Sequence, residues 1–373
     1  MKRFKLWYRC GVVLLSVLVA LAIAAVILTV LGANVLDTFR VIFVYPFSSI
    51  KNISGVINIM IPLSLVGIGI CIAYRSGIVN IGGEGQMIMG LTLALVVALN
   101  VGEMPRALAI PLVLLSGMVG GGIWGAIPGI LKTRFQVSEL LSTVMLNYIA
   151  SQFYSYCLRV PMLDPSVAGG SGDPQTVRLS ESLWLSRMNQ LFPSLDKNMR
   201  FHSGILIAIV LALIVFLFMW KTPAGFKMRA AGASERAARY GGINVKNYVV
   251  LAILLSGACC GLAGTVEVLG VHHRGLGNVS GGYGFSGIVV ALFGGLHPLG
   301  VLPAAFFFAV ISYGCNSLQI NKIPLPGNTI DVLMGLVILV IVSAQMIISN
   351  KYIMYRAERW VRAHLLRAGK ERA

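Results

Sequence analysis

The stretch GILIAIVLALIVFLFMW (204–220) decides the class of this protein, because it is an unbroken apolar run without a single charged side chain. A helix needs about 20 mostly apolar residues to cross the hydrocarbon of a bilayer. A second such run, GVVLLSVLVALAIAAVILTVLG (11–32), reaches that length. The whole chain of 373 residues is 57% hydrophobic and 12% charged, whereas a soluble domain has about 25% charged residues. We therefore predict an all-α, polytopic helical membrane protein.

Further apolar runs predict about ten transmembrane helices, some broken or re-entrant where glycines interrupt the pattern. The predicted spans are 11–32, 55–74, 87–101, 107–131, 139–158, 204–220, 248–270, 284–297, 299–316 and 331–349. The span 284–297 is too short to cross a bilayer alone, which favours a half-helix or a tilted segment. A β-barrel would instead show short segments of alternating hydrophobicity.

The distribution of basic residues predicts that both chain ends are cytoplasmic. With ten spans and a cytoplasmic N-terminus, the inner segments hold 20 of the 30 lysines and arginines. Cytoplasmic loops of membrane proteins carry this excess of basic residues. It explains most of the net charge of +17 without a nucleic-acid partner. We expect the basic tail 351–373 to lie along anionic lipid headgroups.

Residues 1–350 are predicted to form one transmembrane domain with two long hydrophilic segments. The segment 159–203 faces the outside in this topology, as a solvated loop or as a docking surface. The inner segment 221–247 contains a short helical pattern, SERAARY, between glycines. A loop that only reverses the chain needs a few residues, so this helix indicates contact with a soluble partner or with the lipid surface. Its alanine pair, Ala237 and Ala238, favours close approach by a partner.

The glycine-rich stretch SGIVNIGGEGQMIMG (76–90) interrupts the membrane pattern between Arg75 and a helix predicted to begin near Met87. Non-helical backbone at membrane depth is tolerated only inside protein or beside water. We therefore predict that this segment lies in the protein interior. Glu84 is expected to be structural, hydrogen-bonded to backbone amides, rather than a proton carrier.

Polar residues recur every three or four positions in SELLSTVMLNYIASQFY (138–154), and so share one face of a helix. They are Glu139, Thr143, Asn147, Ser151 and Tyr154. Lipid cannot satisfy such a stripe, which indicates either hydrogen bonds to other helices or the lining of a pathway.

A second glycine-rich interruption, GNVSGGYGFSGIVVALFGG (277–295), resembles the first in its order of Gly, Asn, paired Gly and apolar run. Paired broken segments in the two halves of a transporter point to a binding site near the middle of the membrane. Tyr283 and Phe285 lie in this segment, either as packing aromatics or as rings that stack on a base or cover a sugar.

The stretch RAAGASERAARYGGINV (229–245) resembles the coupling segment of integral-membrane permeases of ABC importers. The branch is the one that serves ribose-type sugars, branched-chain amino acids and nucleosides, with the pattern G-x-N-x-x-A-A-x-x-x-G-I. Ser234 stands where many members have asparagine, and it can still cap the helix. The blocks GIVNIGGEGQMIMG (77–90), SELLSTVMLNYIA (138–150) and GYGFSGIVVALFGGLHPLGV (282–301) are similar to segments of the nucleoside-type permeases.

The resemblance implies a permease that forms the translocation path, most closely like the guanosine-type members. It implies a cytoplasmic ATP-binding cassette ATPase, a second and different permease subunit, an extracytoplasmic substrate-binding protein and a location in the bacterial cytoplasmic membrane. The residues expected to couple to the ATPase are Arg229, Gly232, Ser234, Glu235, Ala237, Ala238, Gly242 and Ile243. The residues expected along the substrate path are Asn80, Glu84, Gln86, Thr143, Asn147, Tyr283 and Phe285.

The sequence contains no Walker A loop, no HExxH and no G-x-S-x-G motif. We therefore predict that the chain is not an enzyme and binds no cofactor, and that a partner subunit hydrolyses ATP. A sugar or a branched-chain amino acid is the alternative substrate within the family. Outside the family, the alternatives are a membrane enzyme and an ion-coupled secondary transporter, the latter with Glu84 and Glu267 as candidate carboxylates.

Overall fold

The computed structural model describes residues 11, 18–19, 22–30, 32, 34–102, 104–167, 173–191, 196–320 and 335. Eleven helices within these ranges are labelled α1 to α11. They are α1 (Val35–Phe43), α2 (Ile50–Arg75), α3 (Gly83–Asn100), α4 (Arg106–Phe135), α5 (Glu139–Arg159), α6 (Gly204–Lys221), α7 (Pro223–Ala233), α8 (Glu235–Tyr240), α9 (Val245–Glu267), α10 (Tyr283–Phe293) and α11 (Pro298–Ile320). The described residues contain no extended strand, so the prediction of a helical fold is confirmed.

Six helices of the described part are long and apolar enough to cross a membrane, namely α2, α3, α4, α6, α9 with its π-helical extension to His272, and α11. Each predicted span from 55–74 to 299–316 coincides with a helix. Of the first span, residues 22–30 are helical, and the span 331–349 and the tail 351–373 lie outside the described residues. A count of ten spans is therefore not confirmed.

The chain divides into two units, one of which comprises residues 42–314. The core of this unit forms around α9, which contacts α2, α3 and α4. Most residues in the apolar parts of α2 and α9 are buried, whereas only 28% of those in α4 and 33% of those in α6 are. Because an exposed face of an apolar helix is suited to lipid or to another subunit, these helices mark the outer surface of the unit.

Glycines allow α4 and α9 to touch along their backbones. Gly117, Gly121 and Gly125 of α4 face Gly257 and Gly261 of α9, and a Cβ atom at most of these positions would overlap backbone atoms of the opposite helix. Small residues at such contacts let membrane helices approach closely, which substitutes for the hydrophobic effect that lipid does not supply.

The glycine-rich stretch 76–90 is less broken than its composition predicts. The α3 helix begins at Gly83, not near Met87, so only residues 76–82 are non-helical. Glycine costs a helix about 1 kcal/mol relative to alanine, and close packing offsets this. Here Gly83 lies against Gly284, and Gly85 lies against Asn147. The predicted interior location is confirmed, because Ile78, Asn80 and Gly82 are all buried.

The short span in the second glycine-rich segment is a half-helix, one of the two alternatives that the sequence left open. α10 has 11 residues, and therefore a length of about 16 Å, against about 30 Å for the hydrocarbon of a bilayer. It follows Gly282, whose φ of 73° is left-handed and suits glycine. At its far end, Arg75 donates from Nε to Leu296 O (2.8 Å) and from Nη2 to Gly295 O (3.0 Å), which ties this turn to the end of α2.

The described part of the hydrophilic segment 159–203 folds onto the chain that follows α9. Isolated antiparallel bridges pair Gln175 with Leu276 and Arg187 with His202. The Trp184 ring stacks on His273 with a centroid distance of 4.1 Å. The segment is therefore a folded cover for this end of α9 rather than a loop held by solvent alone.

Candidate functional site

A cavity of about 340 Å³ lies where α3, α5 and the start of α10 meet. It is lined by Glu84, Ile88, Leu91, Val144, Asn147, Tyr148, Ser151, Tyr154, Gly277, Asn278, Ser280 and Phe285. Its wall combines three aromatic rings, apolar side chains and several hydrogen-bonding groups. This is the usual composition of a small-molecule site, which is mostly apolar with a few polar groups that orient the ligand.

Two helix N-termini meet at this cavity. The Oε2 atom of Glu84, in the first turn of α3, accepts a hydrogen bond from the backbone N–H of Gly284 in the first turn of α10 at 2.8 Å. Carboxylates are stabilised at helix N-termini, where backbone N–H groups lack partners. The prediction that Glu84 bonds to a backbone amide is confirmed. α10 is about 16 Å long, and Arg75 binds the turn at its C-terminal end. The contact between Glu84 and Gly284, at the N-terminal end, therefore lies about half the thickness of the hydrocarbon away from that turn.

Asn147 of α5 belongs both to the cavity wall and to the support behind it. Its Oδ1 accepts from Gly85 N (2.8 Å), and its Nδ2 donates to Ile81 O (3.0 Å). The side chain thereby holds the end of the non-helical segment and the first turn of α3 against α5. Both ends of the amide serve this contact, although the residue also faces the cavity.

Asn80 and Gln86, two further predicted path residues, do not line the cavity. Asn80 Nδ2 donates to Gln86 Oε1 and to Ser256 Oγ, both at 2.9 Å, and Asn80 Oδ1 accepts from Gly82 N at 2.9 Å. The relative exposures of Asn80 and Gln86 are 0% and 1%. Their polar groups are thus used inside the protein, where they fix the segment to α9.

Thr143 and Tyr283 are also absent from the cavity wall. Thr143 is buried and donates from Oγ1 to Glu139 O in its own helix at 2.7 Å. Tyr283 is the first residue of α10. Of the seven predicted path residues, the cavity therefore brings together Glu84, Asn147 and Phe285.

Other polar residues of the cavity are absent from the predicted path list. Ser151 and Tyr154 lie on the polar stripe of α5, so the spacing of polar residues in the sequence already indicated them. Asn278 and Ser280 belong to the second glycine-rich segment, in which the sequence pattern singled out only the aromatic residues. Tyr148 had no signal, because it lies beside the stripe and resembles an ordinary apolar position.

A second cavity of about 460 Å³ adjoins the first and shares Gly277 and Asn278 with it. Arg159 and Asp173 line this second cavity, at the end of α5 where the hydrophilic segment 159–203 begins. The two spaces lie side by side between that end of the bundle and the Glu84–Gly284 contact.

At the opposite end, α7 and α8 form the predicted coupling segment. Ser234 caps α8, because its side chain accepts from Ala237 N, and Glu235 pairs with Arg239 at 2.5 Å. The helix ends in a Schellman motif, in which Gly242 has φ of 73° and Ile243 N donates to Ala238 O at 3.0 Å. Glycine at this left-handed position explains the Gly-Ile pair of the motif.

The expectation that both alanines face a partner requires a correction. Ala237 is exposed, but Ala238 has 5% relative exposure and packs with Ile78, Ala231 and Val245 of the same chain. One face of α8 packs against other helices of this chain, and the opposite face is exposed. Ala238 lies on the packed face, and Ala237 lies on the exposed face. Ala238 lets α8 approach its own chain.

Arg229 and Gly232 also turn toward this chain. Arg229 Nε donates to Met219 O at 2.9 Å, and its guanidinium lies 5.4 Å from the centroid of the Trp220 ring. Gly232 lies against the backbone of Arg75 and Gly77, where a Cβ atom would collide. The surface left open by α8 consists of Glu235, Arg236, Ala237, Arg239 and Tyr240, and Tyr240 is 94% exposed.

The described ranges contain no group of three His, Cys, Asp or Glu side chains placed to hold a metal ion.

Comparison with known proteins places this arrangement in a family. Residues 52–342 match the family described as "Branched-chain amino acid transport system / permease component". The match runs from α2 through the coupling segment and both glycine-rich segments, and thus covers every residue of the two cavities.

Curated relatives match along most of their length. The chain is 32% identical to the guanosine ABC transporter permease protein NupP of Bacillus subtilis over 89% of the chain and 92% of the relative. It is 32% identical to the glucose ABC transporter permease protein TsgB13 of Haloferax volcanii over 91% and 88%. It is also 32% identical to the nucleoside ABC transporter permease protein NupB of Lactococcus lactis over 83% and 85%.

A non-catalytic transport subunit needs helices that are long and apolar enough to cross a membrane, space between them and a surface for its partners. The described structure has six such helices, two adjoining cavities and an exposed helix at one end. Together with the family match, they identify the chain as a member of the permease family of ABC transporters.

Proposed function

We propose that this chain is the permease subunit of an ABC importer for nucleosides. The observation that carries the proposal is the cavity of about 340 Å³ at the meeting point of the two glycine-rich segments. Phe285 and Tyr148 offer aromatic faces on which a base can stack. Asn278, Ser280 and Ser151 offer donors and acceptors suited to ribose hydroxyls.

Charge also favours a neutral nucleoside over a nucleotide. Glu84 is the charged side chain of the cavity wall in the described structure. A phosphate group would meet this carboxylate in a site of low dielectric, where like charges repel strongly. A nucleoside carries no such group and can use a carboxylate as an acceptor.

The proposed topology puts both chain ends and the coupling segment on the cytoplasmic side. The positive-inside distribution supports this orientation. The substrate then enters through the outer cavity beside Arg159 and Asp173, delivered by an extracytoplasmic binding protein. A cytoplasmic ATPase docks on the open surface of α8 and supplies the energy. A second, different permease subunit completes the path against the exposed face of α5.

The mechanism follows from this placement. ATP binding draws the two ATPase subunits together, and the coupling segments move with them. The membrane helices then alternate the cavity between outward and inward access. This chain contributes the path and the docking surface, whereas the phosphate chemistry belongs to the ATPase.

The test is uptake of radiolabelled guanosine by the complex of both permeases and the ATPase in proteoliposomes, with binding protein outside and ATP inside. We expect ATP-dependent uptake that unlabelled adenosine reduces and that glucose, ribose and leucine do not. Competition by glucose or ribose alone would favour the sugar alternative, which the similarity to a glucose permease makes the second candidate. Uptake by the isolated chain in an ion gradient would contradict the ABC mechanism.

A further inference from the structure

The non-helical stretch between α2 and α3 continues into the first turn of α3, and together they touch both the coupling segment and the cavity. We call residues 77–86, which end within this turn, the connecting segment. At its first end, Gly77 has φ of 81° and lies against the Cα atom of Gly232 in α7. The two glycines therefore allow a backbone contact that any side chain would prevent.

Packing strengthens this first contact. Ile78 is 1% exposed and packs in one cluster with Ala231 of α7, Ala238 of α8 and Val249 of α9. Protein interiors are close-packed and have low compressibility, so a displaced helix pushes on what it touches. A movement of α7 and α8 must therefore displace Ile78 or open a void beside it.

The middle of the connecting segment is braced by hydrogen bonds. Asn80 bonds to the side chain of Gln86 in both directions, through Nδ2 at 2.9 Å and Oδ1 at 3.2 Å. It also donates to Ser256 of α9 at 2.9 Å. Because these groups are fully buried, breaking one leaves an unsatisfied polar atom at a cost of about 1–3 kcal/mol. We therefore expect the connecting segment to move as a rigid unit more readily than it deforms.

The other end of the connecting segment reaches the cavity wall through Glu84. Asn147 donates a hydrogen bond to Ile81 O and accepts one from Gly85 N. Glu84 accepts a hydrogen bond from Gly284 N of α10. Displacement of the segment thus carries Glu84 with it, and with Glu84 the contact between α3 and α10. The cavity is lined by residues of these same helices.

We propose that the connecting segment transmits movement of the coupling segment to the cavity, and that Asn147 is the positioning residue which ties this segment to the cavity wall rather than a substrate contact. The inference rests on the proposed function, because it requires an ATPase that moves α8. It assigns Asn147, a residue of the cavity, to the conformational change instead of to recognition.

The test compares two substitutions at opposite ends of the connecting segment. Asn147→Ala removes both bonds at the cavity, and Ile78→Ala weakens the packing on α7 and α8 without touching the cavity. Each variant is assembled with its partner subunits, and guanosine uptake and ATP hydrolysis are measured on equal amounts of complex. Asn100→Ala is the matched control, because Asn100 donates to Val96 O within α3, far along the helix from the segment.

We expect both variants to reduce uptake per ATP hydrolysed by about tenfold, a typical size for coupling between sites. The KM for uptake should stay within about twofold of the wild-type value, since no ligand contact is lost. The double variant should be no worse than either single variant, because two breaks in one route act on the same coupling. The Asn100→Ala control should keep the wild-type ratio.

An increased KM for Asn147→Ala with unchanged uptake per ATP would make Asn147 a substrate contact and overturn the inference. A wild-type ratio for Ile78→Ala, or losses that add in the double variant, would overturn it as well. Failure of the wild-type complex to transport guanosine contradicts the proposed function instead. The same ratios are then compared with whichever solute the complex transports, so the two failures are distinguishable.

Discussion

Glu84 and Gly284 join the two broken segments of this permease through a hydrogen bond of 2.8 Å from the backbone N–H of Gly284 to the carboxylate of Glu84. The residues are 200 positions apart in the sequence. Each lies in the first turn of a helix that follows a glycine-rich interruption. The two interruptions therefore build one site together.

This contact predicts different results for two substitutions of Glu84. Glu84→Gln retains a side-chain oxygen that accepts from Gly284, so we expect near wild-type stability and retained guanosine uptake. Glu84→Ala leaves a buried N–H without a partner, and we expect a loss of about 1–3 kcal/mol in the free energy of unfolding. Thermal unfolding in detergent and uptake by the reconstituted complex measure both effects. Abolished uptake in a stable Glu84→Gln variant would instead make the residue a proton carrier.

The close backbone contact between α4 and α9 predicts opposite results for alanine substitutions at two neighbouring glycines. A Cβ at Gly121 would overlap backbone atoms of Gly257 and Gly261, whereas a Cβ at Gly122 would meet its nearest atom at 3.4 Å. Gly121→Ala should therefore lower the unfolding temperature and the yield of folded protein. Gly122→Ala should leave both unchanged or improved, because alanine favours a helix by about 1 kcal/mol over glycine. Equal unfolding temperatures and equal yields for the two variants would disprove the close contact between α4 and α9.

Opposite faces of α8 give a third pair of variants. Ala237 is exposed, so Ala237→Trp should leave the permease folded but weaken its co-purification with the ATPase and abolish ATP-driven uptake. Ala238 is buried, so Ala238→Trp should overpack the cluster around Ile78 and destabilise the permease by about 1–3 kcal/mol. Size-exclusion profiles and ATPase recovery separate these outcomes. Wild-type transport by the Ala237→Trp variant would show that the ATPase does not dock on the exposed face of α8.

His202 predicts how stability depends on pH outside the membrane-spanning helices. Burial, with a smaller contribution from His273, lowers the pKa of His202 to about 4. Between pH 6.5 and 4 the unfolded state therefore binds a proton that the folded state does not. Stability should fall as the pH decreases through this range, by at most about 3 kcal/mol.

The comparison variant for this prediction is His202→Asn, whose side-chain oxygen can accept from Gly204 N as His202 Nδ1 does. The drop in unfolding temperature between pH 7 and pH 5 should be smaller in this variant than in the wild type. An equal drop in both proteins would show that other groups cause the pH dependence.

The sequence predicted the helices better than their contacts. Apolar length identifies a membrane helix almost by itself, so the eight predicted spans from 55–74 to 299–316 coincide with helices. The start of α3 was placed too late, because glycine lowers helix propensity and its packing against Gly284 and Asn147 cannot be seen locally. Long-range contacts decide such positions.

The site was predicted in part for a similar reason. Residue type identified the buried polar residues, but it could not separate those that bond inside the protein from those that face the cavity. Asn80 lies in the first glycine-rich segment and Asn147 lies on the polar stripe of α5, and both were predicted along the path, yet only Asn147 lines the cavity in the described structure. The difference depends on which helix lies opposite each side chain.

Protection of a cysteine in the cavity tests the central claim most directly. In a variant without reactive native cysteines, Ser151→Cys places a thiol on the cavity wall, and Ala237→Cys places one on the exposed face of α8 as the control. We predict that guanosine slows the labelling of Ser151→Cys in the assembled complex, that glucose does not, and that the labelling of Ala237→Cys is unchanged by either. Labelling of Ser151→Cys that is unaffected by guanosine, or slowed by glucose alone, would contradict a nucleoside path through this cavity.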